Sequence, residues 1–159
     1  MQWMILPFKR YFDFEGRSRR MEYWMFILFN TAVALVLTGP VLVAAFAVAL
    51  DPELSAAGDD VVGEAILASM SGIGGLSLGL YALFALFAFI PSVAVTVRRL
   101  HDRDMSGWWY LGFTVAGILP LVGLIASLVF IVLLLLPGTS GSNRFGPDPK
   151  NPYSQDVFA

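Results

Sequence analysis

The chain's only histidine stands beside an aspartate, His101-Asp102, and imidazole titrates near neutral pH. This pair is therefore the first place to look for a general base or a metal ligand. Two features weigh against both roles. Side chains adjacent in sequence need not face each other, and no serine or cysteine forms a recognisable nucleophile motif beside them. A single His-Asp also supplies too few ligands for zinc, so no metal and no cofactor is expected, and catalysis by His101 and Asp102 is the minor reading.

The stretch that holds the pair, Val97 to Tyr110, offers a second chemistry. It carries Arg98, Arg99 and Arg103, three of the ten basic residues, and ends on Trp108-Trp109-Tyr110. A cationic turn followed by aromatic rings, set between two apolar runs, has the character of a cytoplasmic loop at a membrane surface. Arg17, Arg19 and Arg20 form another basic cluster, with Asp13, Glu15 and Glu22 among them. Arginine forks pair bidentately with carboxylates or phosphates, which gives two expectations for this face. In the first, Glu22 meets Arg98 or Arg99 and clamps the first helix to the second loop. In the second, surplus arginine binds anionic lipid headgroups or an acidic partner.

The elements that must position these residues are apolar. Hydrophobic residues make up 57% of the 159 and charged residues only 14%, against about 45–50% and roughly 25% in soluble domains. Mean hydropathy is +0.73. The composition is that of an all-α integral membrane protein, and the length suits a single domain. With no cysteine, disulfides and thiolate chemistry are excluded.

Residues 1–22 are basic and aromatic and read as an interfacial segment whose first dozen residues form a short helix, Lys9 and Arg10 reaching toward phosphates. Residues 23–50 contain no charge and exceed the roughly 20 residues that one crossing needs. That run is far longer than a signal-peptide core, so cleavage is not expected. Asn30 lies in its first half and is expected to face another helix. Residues 51–72 form a loop with five acidic residues and no lysine or arginine, within which Asp59 and Asp60 suit the start of a helix. A second span covers 73–97, with Ser71, Gly75 and Gly79 at four-residue intervals as a ridge for close helix packing. After the loop 98–107, the apolar stretch 108–136 is interrupted near Pro120. It has 29 residues, too few for two crossings at about 20 each, so it is either one kinked helix or a re-entrant pair. Residues 137–159 form a polar tail rich in Pro, Gly, Ser and Asn. Five basic residues precede the first span and none stands in the acidic loop, so the positive-inside rule puts the N-terminus in the cytoplasm. The side of the tail stays open.

Three ordered stretches carry a family likeness: Phe14-Glu15-Gly16-Arg17-Ser18-Arg19-Arg20-Met21-Glu22-Tyr23-Trp24, then Arg98-Arg99-Leu100-His101-Asp102 through Ser106-Gly107-Trp108-Trp109, then Gly141-Ser142-Asn143-Arg144-Phe145-Gly146-Pro147-Asp148-Pro149. Together they resemble the bacterial inner-membrane family known as domain of unknown function 805. The resemblance spans nearly the whole chain and implies a small multi-pass protein of the bacterial inner membrane, with no activity attached. It also singles out Asn143, Arg144 and Asp148 as a tail motif. The acidic loop from Asp51 to Ser71 is longer than the family pattern.

The functional reading favoured by these residues is a non-enzymatic membrane protein acting through assembly, a membrane-protein partner or anionic lipid, with a homo-oligomer formed through Gly75 and Gly79 as one form of assembly. A small transporter or channel component is the second reading, since a broken final segment suits a binding site, although few polar residues lie in the spans. A membrane enzyme acting on lipid or phosphate groups is the third. Nucleic acid is not expected, because membrane topology explains the basic face.

Overall fold

The computed structural model describes residues 2–151, all of them in helices, turns or loops apart from one isolated bridge between Asn143 and Gly146. Seven helices follow in order: α1 Gln2–Lys9, α2 Arg20–Ala49, α3 Pro52–Ala57, α4 Asp59–Ser69, α5 Ile73–His101, α6 Trp108–Ala116 and α7 Pro120–Leu135. Two of them, α2 and α5, are long and apolar enough to cross a membrane. Two compact units divide the chain, one made of residues 1–28 and 89–159 and the other of residues 29–88.

The unit of residues 29–88 contains most of α2, the acidic helices α3 and α4, and the beginning of α5. Asp51 caps α3, its carboxylate accepting the Glu53 N–H at 2.9 Å and the Leu54 N–H at 3.3 Å, with Pro52 at the first helical position. Asp59 and Asp60 do not cap α4. They are its first two residues, after Gly58, and they contribute through their charge at the positive end of the helix dipole. The three small residues Ser71, Gly75 and Gly79 have different surroundings within the chain. Ser71 precedes α5 and donates its hydroxyl to the Ala68 carbonyl at 2.6 Å. A Cβ on Gly75 would press on the Met70 carbonyl at 2.6 Å, whereas one on Gly79 would meet open space. Close approach to α2 comes instead at Gly74, where a Cβ would lie 3.2 Å from a methyl of Val41.

The unit of residues 1–28 and 89–159 holds the polar motifs. Tyr23 and Phe26 of α2, Val95 and Leu100 of α5 and Leu134 of α7 form its apolar core, flanked by Phe8, Trp24, Ile27, Met105, Tyr110 and Phe130. Helix α5 continues through His101, so Arg98, Arg99 and His101 lie on its last turn and not in a loop over 98–107. A Schellman-type closure stops it. The Asp104 N–H reaches the His101 carbonyl at 2.9 Å and the Met105 N–H reaches the Leu100 carbonyl at 3.0 Å, with Asp104 at φ 58°, a left-handed conformation that aspartate tolerates.

The apolar stretch 108–136 is a hairpin of two helices. Helix α6 ends at Ala116, Leu119 is extended, and Pro120 opens α7 at the position where its missing N–H costs nothing. Gly123 lets the turn fold tightly, since a Cβ there would meet the Gly117 carbonyl at 2.6 Å. Phe130 of α7 packs on Phe113 at 4.8 Å and on Tyr110 at 6.2 Å, ring centre to ring centre, so α7 runs back along α6. Its C-terminal carbonyls thereby return to the end of α5, as the contacts of Arg99 show below.

Candidate functional site

The largest fully buried side chains in the described structure are not leucines but Arg98 and Arg99, each with 0% exposure. A buried guanidinium is costly without partners, so the groups that meet these two define the site. Arg98 pairs with Glu22 at 3.0 Å across α5 and α2, both side chains buried. Its other terminal nitrogen donates to the Asp13 carbonyl and, at 3.4 Å, to that of Arg10. Arg99 uses three donors. Its Nε donates to the Leu134 carbonyl at 3.1 Å, one terminal nitrogen donates to the Leu136 carbonyl, and the other pairs with Asp102 Oδ2. The carbonyls at the end of α7 lack helical partners, and Arg99 supplies them.

Asp102 is shared. Its Oδ1 receives Arg17 through Nε at 3.0 Å and Nη2 at 2.9 Å, while Oδ2 receives Arg99. Arg17 is itself buried and carries the network onward to the tail, donating to the carbonyls of Gly141 at 2.6 Å and Thr139 at 2.5 Å. Thus Arg17 from the segment before α2, Arg99 and Asp102 from the end of α5, and the tail beyond α7 are tied by one carboxylate. There is no room for a larger residue at Gly138, where a Cβ would collide with the Asp102 carboxylate.

His101 and Asp102 diverge. The His101 ring lies parallel to Phe145 at 3.8 Å between centres, and its Nδ1 is 3.2 Å from the Gly16 carbonyl, which fixes that nitrogen as the donor. Asp102 faces the two arginines. The pair therefore forms no acid–base couple in this geometry.

The tail closes over the end of α5. Thr139 N–H donates to the Asp102 carbonyl at 2.8 Å, Asn143 Nδ2 to the His101 carbonyl at 2.9 Å, and Arg144 to the Asp104 carbonyl at 2.6 Å. Arg103 donates to the Pro137 carbonyl at 2.6 Å. Arg144 also pairs with Asp104 at 3.2 Å on the exposed surface. Asp148 organises the following turn, accepting the Lys150 N–H at 2.9 Å; chiefly for that reason its carboxyl sits below the usual carboxylate range. Near the N-terminus, burial raises the Asp13 carboxyl, but the Arg10 guanidinium and the Glu15 N–H outweigh it and hold the group below its ordinary value.

Arg19 and Arg20 stand apart from this network. Arg19 lies over the Trp3 ring at 5.6 Å and donates to the Pro149 carbonyl, and Arg20 makes one long bond of 3.4 Å to the Leu135 carbonyl. With Lys150, Met21, Trp24 and Leu135 they line a groove of about 480 Å³.

Sequence reasoning had singled out Arg17, Glu22, Arg98, Arg99 and Asp102, and the fold gathers these five, but it missed Thr139, Phe145 and Lys150. The likeness of Gly141 to Pro149 to a family motif was the one available signal for the tail, and Phe145 lies inside it.

The comparisons with known proteins agree with the three motifs. Residues 11–147 match the family model described as protein of unknown function (DUF805). "Inner membrane protein YhaH" of Escherichia coli (strain K12) is 40% identical over 150 residues, covering 94% of this chain and 98% of that protein. "Inner membrane protein YhaI" of the same strain is 38% identical over 151 residues, covering 94% and 97%. "Uncharacterized protein YiiR" is 27% identical over 158 residues, covering 88% of each chain. No solved structure matches. With the match spanning the arginine cluster, the Asp102 network and most of the tail that closes over it, the chain belongs to the DUF805 family.

Proposed function

We propose that this protein is a non-enzymatic component of the bacterial inner membrane, crossing it with α2 and α5, that acts at the cytoplasmic surface by holding anionic lipid. Its relatives' names support the location. The positive-inside rule supports the side, since the basic residues flank one end of each long helix in sequence and the acidic residues 51–64 flank the other. On this reading α6 and α7 dip into the bilayer and return, because 9 and 16 residues are each too short to span it.

One observation carries the functional part. Two sets of basic residues differ in their partners: Arg17, Arg98 and Arg99 are consumed by internal carboxylates and carbonyls, whereas Arg19, Arg20 and Lys150 face a groove with no carboxylate in its lining. The first set is a clamp that builds the platform, and the second is the surplus charge that an anionic membrane surface attracts. The engagement of His101 and Asp102 in stacking and ion pairing supports a role without catalysis.

The test is retention of lipid by the purified protein. Extracted from membranes containing phosphatidylglycerol and phosphatidylcholine in equal amounts, it is expected to keep the anionic lipid in several-fold excess, and equal retention of both would end this reading. His101→Ala is expected to leave the preference in place.

A further inference from the structure

Arg20 opens α2 with Arg19 just before it, Leu135 closes α7, and Lys150 is brought beside them by the tail. These four residues, with Met21 and Trp24, form a groove of about 480 Å³ whose one side is cationic and whose other is apolar. Among the described residues no carboxylate pairs with Arg19, Arg20 or Lys150, in contrast to Arg17, Arg98 and Arg99. The groove also sits at the N-terminal end of a 30-residue helix, whose dipole adds to the preference for negative charge.

We propose that this groove is a binding site for a single anionic glycerophospholipid, its phosphate held by Arg20 and Lys150 with Arg19 behind them and its first methylenes lying on Trp24 and Leu135. The inference rests on the anionic-lipid reading above and narrows it to one site and one ligand class. Three features select a lipid over a soluble anion. The cations stand at the ends of two apolar helices, which is headgroup depth for helices in a bilayer. The apolar wall continues into α7, where Leu128, Val132 and Leu135 are all about half exposed, so an acyl chain leaving the groove has apolar surface to follow. Arg19 is already fixed by the Trp3 ring and the Pro149 carbonyl, so one cation is in place before the ligand arrives.

Arg20 and Lys150 are exposed, and Arg20 makes only its long bond to the Leu135 carbonyl, so both can be neutralised without dismantling the fold. Detergent-solubilised full-length protein, titrated with dioleoyl phosphatidylglycerol and followed by native mass spectrometry, is expected to bind one lipid with saturable affinity. At about one unit of surface electrostatic energy per cation, Arg20→Gln should weaken it roughly fivefold, and Arg20→Gln with Lys150→Gln about 25-fold, with elution and helix content unchanged. Arg20→Lys should restore most of the affinity. Wild-type protein that prefers phosphatidylglycerol while the double variant binds it equally well would overturn this site and leave the broader reading standing; no preference in the wild type would remove both. Full displacement by millimolar glycerol phosphate would overturn the lipid assignment in favour of a soluble phosphate.

Discussion

Glu22 shows what one side chain is worth when its partner has no exit. Removing its charge leaves Arg98 buried with carbonyl partners only, and breaking a buried pair from one side costs about 3–5 kcal/mol. Glu22→Gln is therefore expected to lower the melting temperature of the detergent-solubilised protein steeply; a melting curve that superimposes on wild type would mean that the pair is not formed. His101 is expected to behave otherwise. His101→Phe keeps a ring on Phe145 and loses only the bond to the Gly16 carbonyl, a cost of about 1 kcal/mol, so the variant should fold and elute as wild type does. The types of these residues made the ion pairs legible in advance, including Glu22 with one of the two adjacent arginines. Which arginine took which carboxylate was not legible, because neighbours on a helix differ by about 100° in direction and only the fold decides what lies on each side.

At the scale of elements, the end of α5 is the junction on which α2, α7 and the tail converge, and Gly138 is where the tail passes closest. A Cβ at that position would displace the Asp102 carboxylate from both arginines, so Gly138→Ala should reduce folded yield sharply. Gly79→Ala should not, since open space surrounds it. If Gly79 faces a second copy, Gly79→Leu should shift the oligomeric state by size-exclusion light scattering without loss of folded protein. The turn at Asp148 has its own pH signature. Its carboxyl is held below the normal range, so its contribution is present above about pH 4 and is lost as pH falls through the lowered value; hydrogen exchange at the Lys150 amide should be flat from neutral pH to that point once intrinsic rates are removed. The long apolar helices and the break near Pro120 could be read from the sequence. The extra turn of α5 and the return of the tail could not, because long-range bonds from Thr139, Asn143 and Arg144 hold them, and tail composition alone reads as loop.

For the whole molecule, the distribution of polarity is the reverse of a water-soluble fold. Arg98, Arg99, Asp102 and Glu22 are inside, while leucines and phenylalanines along α2, α5 and α7 are outside. A monomer in water does not sustain that much apolar surface, and lipid is the solvent that fits it. The hairpin of α6 and α7 bears on the question that charge counting left open. The tail gives no topological vote by charge, yet it is bonded to Arg17, His101 and Asp102, which under the proposed topology puts it on their side of the membrane. A fluorescent reporter fused after Ala159 should therefore glow in the cytoplasm, and a phosphatase at the same place should stay inactive; the opposite pattern would contradict the hairpin.

The same hairpin has a mechanical consequence. At about 1.5 Å per residue, α6 is near 14 Å long and α7 near 24 Å, both short of a hydrocarbon core of about 30 Å, whereas α2 reaches about 45 Å. Two helices that enter and leave by one face add cross-section to that leaflet and little to the other. On the proposed topology the hairpin therefore takes up area in the inner leaflet that it does not take up in the outer one.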